Sequence, residues 1–170
     1  MSNLGTTAPV RRPKVHRVEN RRKVTTPTPT ITTIHTHGTP DVTNNCCHWS
    51  WVALDKAGNE ITRASGVYGD SYRVTGNVAK FHGLIQALEW LAVNAPDAPV
   101  TVLSDLELAV GIVNEEMKAN ERHIRLLAST AGRFRSRTKA TLDLMRHKEN
   151  RAAQPSAKGC LVAKGAGVRD

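Results

Sequence analysis

Aromatic side chains are scarce: three Trp, two Tyr and two Phe among 170 residues. Any core must therefore be largely aliphatic, and a chain of this length can bury one as a single domain. Cysteine is also rare. There are three, two of them adjacent as Cys46 and Cys47, which does not make a disulfide framework. That usage predicts a reducing, intracellular and cytoplasmic setting. No apolar run approaches the roughly 18 residues of a membrane span, so no membrane partner is expected. The opening residues MSNLGTTAPVRRPK contain no apolar stretch of signal-peptide length. Nor is there a GxxxxGK phosphate loop ending in Ser or Thr, a CxxC pair or an HExxH helix. The chemistries carried by those motifs have no local signature here.

What is abundant is positive charge. Lys and Arg total 24 against 15 Asp and Glu, a formal net charge of +9. Residues 1–30 carry +6 of it, from Arg11, Arg12, Lys14, Arg17, Arg21, Arg22 and Lys23 against Glu19 alone. The same stretch has few apolar residues and ends in the proline-spaced TTPTPT. It cannot bury enough surface to offset the entropy of ordering, which predicts a disordered basic arm. Such an arm favours phosphate backbones or an acidic protein surface.

Past residue 30 the apolar period switches between 2 and 3.6. Residues 31–36 (ITTIHT) alternate as a strand, followed by a polar loop at 38–45 that contains Asp41. Residues 46–54 (CCHWSWVAL) form a second strand with Cys47, Trp49, Trp51 and Ala53 on one face, and 60–68 a third. Residues 78–94 place Val78, Phe81, Ile85, Leu88 and Leu91 at helical spacing and stop at Ala95-Pro96. A short apolar strand at 100–104 follows, then helices at 106–113 and 124–134. A fifth strand spans 140–146, with Leu142 and Leu144 on one face and Asp143 on the other, and a terminal helix is placed at 156–166. This order predicts an α/β fold: a three-stranded antiparallel meander joined to parallel strands in one mixed five-stranded sheet, flanked by helices. The expected division is an arm at 1–30, a domain at 31–166 and a tail at 167–170.

The segments THG at 36–38, GVYGD at 66–70, TGNVAKFHGLIQALEWL at 75–91, VLSDLELAV at 102–110 and LMRHKEN at 144–150 resemble, in order and spacing, the type-1 ribonuclease H family. The resemblance implies a ribonuclease-H-like fold. It also implies a site where four carboxylates hold two Mg²⁺ ions to cleave the RNA strand of an RNA–DNA hybrid. Carried over position by position, Asp105 keeps one acid. His37 stands at the first position and Lys80 at the second. The fourth falls at Ala157 or Lys158, or at Gly159 or Cys160 with a short slip, and no Asp or Glu occurs between Asn150 and Arg169. We take Lys158 there. One carboxylate beside two ammonium groups is repulsive to a divalent cation, so Lys80 is expected to pair with Asp105 in place of a metal. The expectation is a catalytically inactive nucleic-acid-binding protein with no cofactor and no metal. Its partner would be RNA, DNA or a hybrid. The arm cations would grip phosphates, joined by Arg133, Arg135, Arg137 and Lys139. Two alternatives stand beside it. One is an active Mg²⁺-dependent ribonuclease H with acids relocated to Asp41, Glu107 or Asp143. The other is a protein-interaction module with an acidic protein partner.

Two further groups bear weighing. His35 and His37 share a strand face near Cys46, Cys47 and His48, a donor set compatible with zinc. We read them as strand-end polar residues and a small buried cysteine. Trp49 and Trp51 are read as core rather than as base-stacking platforms.

Overall fold

A computed structural model describes residues 30–69 and 73–153. Residues 1–29 of the arm with its seven cations, the terminal helix, Lys158 and the tail lie outside the described residues. The elements are β1 (Thr33–Asp41), β2 (Cys46–Leu54), β3 (Glu60–Gly69), α1 (Gly76–Asn94), β4 (Thr101–Ser104), α2 (Glu107–Val113), α3 (Arg122–Arg135) and β5 (Thr141–Leu144). Two short 3-10 turns follow, at His147–Glu149 and Arg151–Ala153. One five-stranded sheet has the order β3-β2-β1-β4-β5. β1, β2 and β3 pair antiparallel, whereas β1, β4 and β5 pair parallel. This is the mixed sheet expected from the sequence.

The first strand runs further than its alternation indicated. β2 pairs with it along nine residues, from Thr33↔Leu54 to Asp41↔Cys46. Asp41 therefore closes a strand instead of lying in a loop. Pro40 is tolerated because, among the described residues, β4 pairs only with Thr33 to Thr36 and the far half of β1 has β2 as its one strand neighbour. β5 departs from expectation in the other direction. Leu142 is buried but Leu144, the last residue of this edge strand, is exposed.

Period-2 alternation sorts the two faces of the sheet. Ile34, Cys47, Trp51 and Ala53 join Val78, Phe81, Leu84, Leu88 and Leu91 of α1 in the main core, with Val102 and Leu142 from the parallel strands. Trp49 packs against that core and Trp51 lies tilted against Trp90, ring centroids 4.8 Å apart, so both indoles serve packing, as read from the sequence. On the opposite face Val52 and Leu54 meet Ala152. Asn150 ties that segment down. It is fully buried, donating from Nδ2 to the Thr36 carbonyl at 2.7 Å and accepting at Oδ1 from the Ala152 N–H at 3.0 Å. Arg151 donates its backbone N–H to His35 Nδ1 at 3.2 Å.

α1 begins at Thr75, whose hydroxyl accepts the Val78 N–H at 3.3 Å, and ends where Pro96 forbids continuation. It lies unusually close to β1. A side chain on Gly38 would overlap the Ala79 carbonyl, and one on Gly83 would overlap the His37 carbonyl. Among the described residues, no helix is long and apolar enough to cross a membrane.

His82 of α1 is buried and stacked on Tyr68, ring centroids 3.8 Å apart. Burial lowers its pKa from 6.5 to about 4. Burial also lowers that of His35, helped by the Arg151 charge. Between those two values the unfolded chain takes up a proton at residue 82 that the folded chain refuses, so stability falls as the pH falls through this window. The His82 share is about 3 kcal/mol. Urea unfolding from pH 7 to pH 4 should show that loss, and His82→Phe, which keeps an aromatic ring, should flatten the slope. An unchanged slope would remove His82 as the cause.

Candidate functional site

The C-terminal ends of β1 and β4 lie side by side, with Thr36 opposite Ser104. Ligand sites in open parallel sheets form at such strand ends. Asp105 follows β4 directly, and the Ser104 hydroxyl shapes its turn by accepting the Leu106 N–H at 3.2 Å. The Asp105 side chain is 1% exposed. Three cationic or potentially cationic groups converge on it. Lys80 Nζ from α1 is 3.3 Å from Oδ1. His37 Nδ1 from β1 is 3.7 Å from Oδ2, an electrostatic contact rather than a hydrogen bond. His147 Nδ1, from the turn after β5, is hydrogen-bonded to Oδ2. The two imidazole rings are tilted against each other with centroids 5.5 Å apart. His37 Nε2 also shares a proton with the Thr39 hydroxyl at 3.1 Å.

Burial by itself would raise the Asp105 pKa. The contacts from His37 and His147, together with the Lys80 charge, outweigh burial and hold the carboxyl well below the ordinary carboxylate range. The group therefore stays ionised at neutral pH with its charge already matched by an ammonium.

His37, Lys80 and Asp105, singled out from the sequence, are thus brought together. Lys158 lies outside the described residues. His147, inside the LMRHKEN segment, is not among the site residues drawn from the sequence, and its place on Asp105 was missed. The signal was its position just past the fifth strand, which runs parallel to β4 and so ends beside Asp105. The relocated-acid candidates are elsewhere. Asp41 bonds to Asn44 and His48, Glu107 is exposed in the first turn of α2, and Asp143 is exposed and accepts the Leu144 N–H at 2.7 Å. Among the described residues, the metal-capable group around Asp105 is His37, Asp105 and His147, with no second carboxylate. His35 and Cys47 join neither this group nor a zinc-compatible one, because His35 faces Arg151 and Cys47 faces the core.

Mg²⁺ requires several oxygen ligands and keeps them octahedral. Among the described residues, one carboxylate, two imidazoles and an ammonium 3.3 Å from that carboxylate do not fit the ion. Thermal melts with and without millimolar Mg²⁺ should coincide, since an ion that binds the native state raises Tm. A Mg²⁺-dependent rise would contradict this geometry.

The second basic run divides. Arg133 and Arg137 are exposed. Arg135 donates to the Val113 carbonyl at 3.1 Å, capping the end of α2, and Lys139 lies 3.4 Å from Asp97.

No protein-family model and no curated protein matches this sequence. Solved structures do. RNase H1 from the halophilic archaeon Halobacterium salinarum is 18% identical, with TM-score 0.62, covering 71% of this chain and 89% of its own. The N-terminal RNase H domain of Rv2228c from Mycobacterium tuberculosis is 19% identical, with TM-score 0.60, covering 71% and 86%. LC11-RNase H1, isolated from compost by a metagenomic approach and solved in complex with an RNA/DNA hybrid, is 22% identical, with TM-score 0.61, covering 70% and 88%. The fold of this chain is ribonuclease-H-like.

Proposed function

We propose that this ribonuclease-H-like domain binds nucleic acid through phosphate contacts and duplex shape, and does not cleave it by two-metal chemistry. The observation that carries the reading is the Lys80–Asp105 pair, in which an ammonium sits against the one acid retained from the four that the resemblance implies. Nucleic-acid binding is supported by the net charge of +9, by the concentration of that charge in residues 1–30 and by the exposed Arg133 and Arg137. It is further supported by the fold shared with LC11-RNase H1, whose structure contains an RNA/DNA hybrid. In this reading Arg11, Arg12, Lys14, Arg17, Arg21, Arg22 and Lys23 form an arm that contacts phosphates without reading bases. Lys80 and His147 present proton donors at the strand ends, where a phosphate oxygen rather than a cation is the complementary group.

One gel tests both halves. The full chain is incubated with labelled RNA–DNA hybrid, duplex DNA and single strands, in Mg²⁺, in Mn²⁺ and in EDTA. Binding in EDTA without cleavage in either metal is the expected result. Seven phosphate contacts should weaken binding by roughly 10³–10⁴-fold between 50 and 200 mM salt. Metal-dependent cutting that is lost in Asp105→Asn would overturn the inactive reading. Absence of binding to every nucleic acid would overturn the rest.

A further inference from the structure

We propose that Asp41, Cys46 and His48 form a zinc site at the open end of the β1–β2 hairpin, with water in the fourth position. The site follows from strand geometry. Alternation along β2 puts Cys46 and His48 on one face, and Asp41 is the cross-strand partner of Cys46. All three donor atoms lie within 4.8 Å of one another. His48 Nε2 is 3.5 Å from Asp41 Oδ2 and 3.9 Å from Cys46 Sγ. In a tetrahedral zinc centre the usual bond lengths give ligand-to-ligand edges of about 3.3 Å for nitrogen to oxygen and about 3.6 Å for nitrogen to sulfur. The observed spacings exceed those edges by a few tenths of an ångström, which side-chain rotation can close.

The competing explanation is an ordinary Asp–His pair beside a buried thiol. A ring nitrogen has one in-plane direction for one proton or one lone pair, so His48 Nε2 cannot serve a carboxylate and a thiol together. A cation among the three satisfies all of them. The donor types also agree. Thiolate, imidazole and carboxylate suit zinc, and the two negative charges neutralise the ion. The carboxylate is pre-oriented, because Asn44 donates from Nδ2 to Oδ2 at 2.7 Å and from its N–H to Oδ1 at 3.1 Å. Cys46 is buried while His48 is exposed, so an ion enters from the solvent side. Among the described residues no fourth His, Cys, Asp or Glu joins the group, which leaves a position open to water.

The test uses the reduced full chain, titrated with Zn²⁺ and with Co²⁺ as its coloured substitute. One equivalent should bind, a thiolate-to-cobalt charge-transfer band should appear, and zinc should raise Tm. Cys46→Ser and His48→Ala should each weaken binding by at least about tenfold, and Cys46→Ser should abolish the band. Asn44→Ala keeps every ligand and should weaken binding while leaving the band in place. Cys160→Ser should change nothing. Circular dichroism is the check that each variant folds. Absence of the band, or undiminished zinc binding in folded Cys46→Ser, would overturn the site. The second outcome would point to His37, Asp105 and His147 instead. None of these readouts depends on nucleic-acid binding.

Discussion

Gly38→Ala is expected to be among the most damaging single-methyl additions in this chain. The added Cβ would fall within the Ala79 carbonyl and the Lys80 backbone nitrogen. Both are main-chain atoms of α1 and cannot rotate aside. Either the 19-residue helix shifts off the sheet or β1 bends. Overpacking a core ordinarily costs about 1–3 kcal/mol, and a clash between two backbones belongs at or above the top of that range. A Tm loss of roughly 10 °C is expected. Gly76→Ala is the matched control. It adds the same methyl at the start of the same helix, with nothing within 4 Å, and should be neutral or slightly stabilising. Equal Tm values for the two variants would mean that α1 does not rest on Gly38. The glycine of the THG motif is thus a contact requirement, and it also sets the height from which Lys80 reaches Asp105.

Asp105→Ala should destabilise the fold by about 2–3 kcal/mol. Removing one partner of a buried pair leaves the other uncompensated, at about 3–5 kcal/mol when both are buried. The lower figure applies here because the Lys80 side chain is 23% exposed and His147 is largely in water. The sign is the informative part. In a site made of several carboxylates, deleting one relieves like-charge repulsion and stabilises the metal-free protein. Here deletion strands an ammonium. Urea titrations of Asp105→Ala, Lys80→Met and the double variant separate the cases, since a coupled pair gives a double variant less damaged than the sum of the singles. The pH dependence follows from the lowered Asp105 pKa. The folded chain holds fewer protons there than the unfolded chain, so the contribution is complete above the ordinary carboxylate value and is lost on further acidification. The gap between wild type and Asp105→Ala should narrow as the pH falls below about 5. A stabilising Asp105→Ala would sink the pairing and return the site to a carboxylate cluster.

The order of elements was legible in the sequence because hydrophobic period is a local property. ITTIHT, CCHWSWVAL and the Val78-to-Leu91 stripe each declare their own strand or helix, and the meander follows from short turns. The α/β architecture and the core role of both β2 tryptophans needed nothing more. The meeting of Lys80 with Asp105 was anticipated through the resemblance, by matching positions, and no spacing rule would have produced it. The end of β1 was not legible, since Gly38 and Pro40 read as loop residues until β2 supplies a pairing partner. His147 on Asp105 and Asp41 beside Cys46 and His48 were not legible either. Both contacts depend on strand neighbours and register, in which β5 is laid beside β4 and Asp41 opposite Cys46. Periodicity tells a side chain which face it occupies. Only the folded sheet decides what faces it, because the partners lie 42 residues apart in one case and across a hairpin in the other.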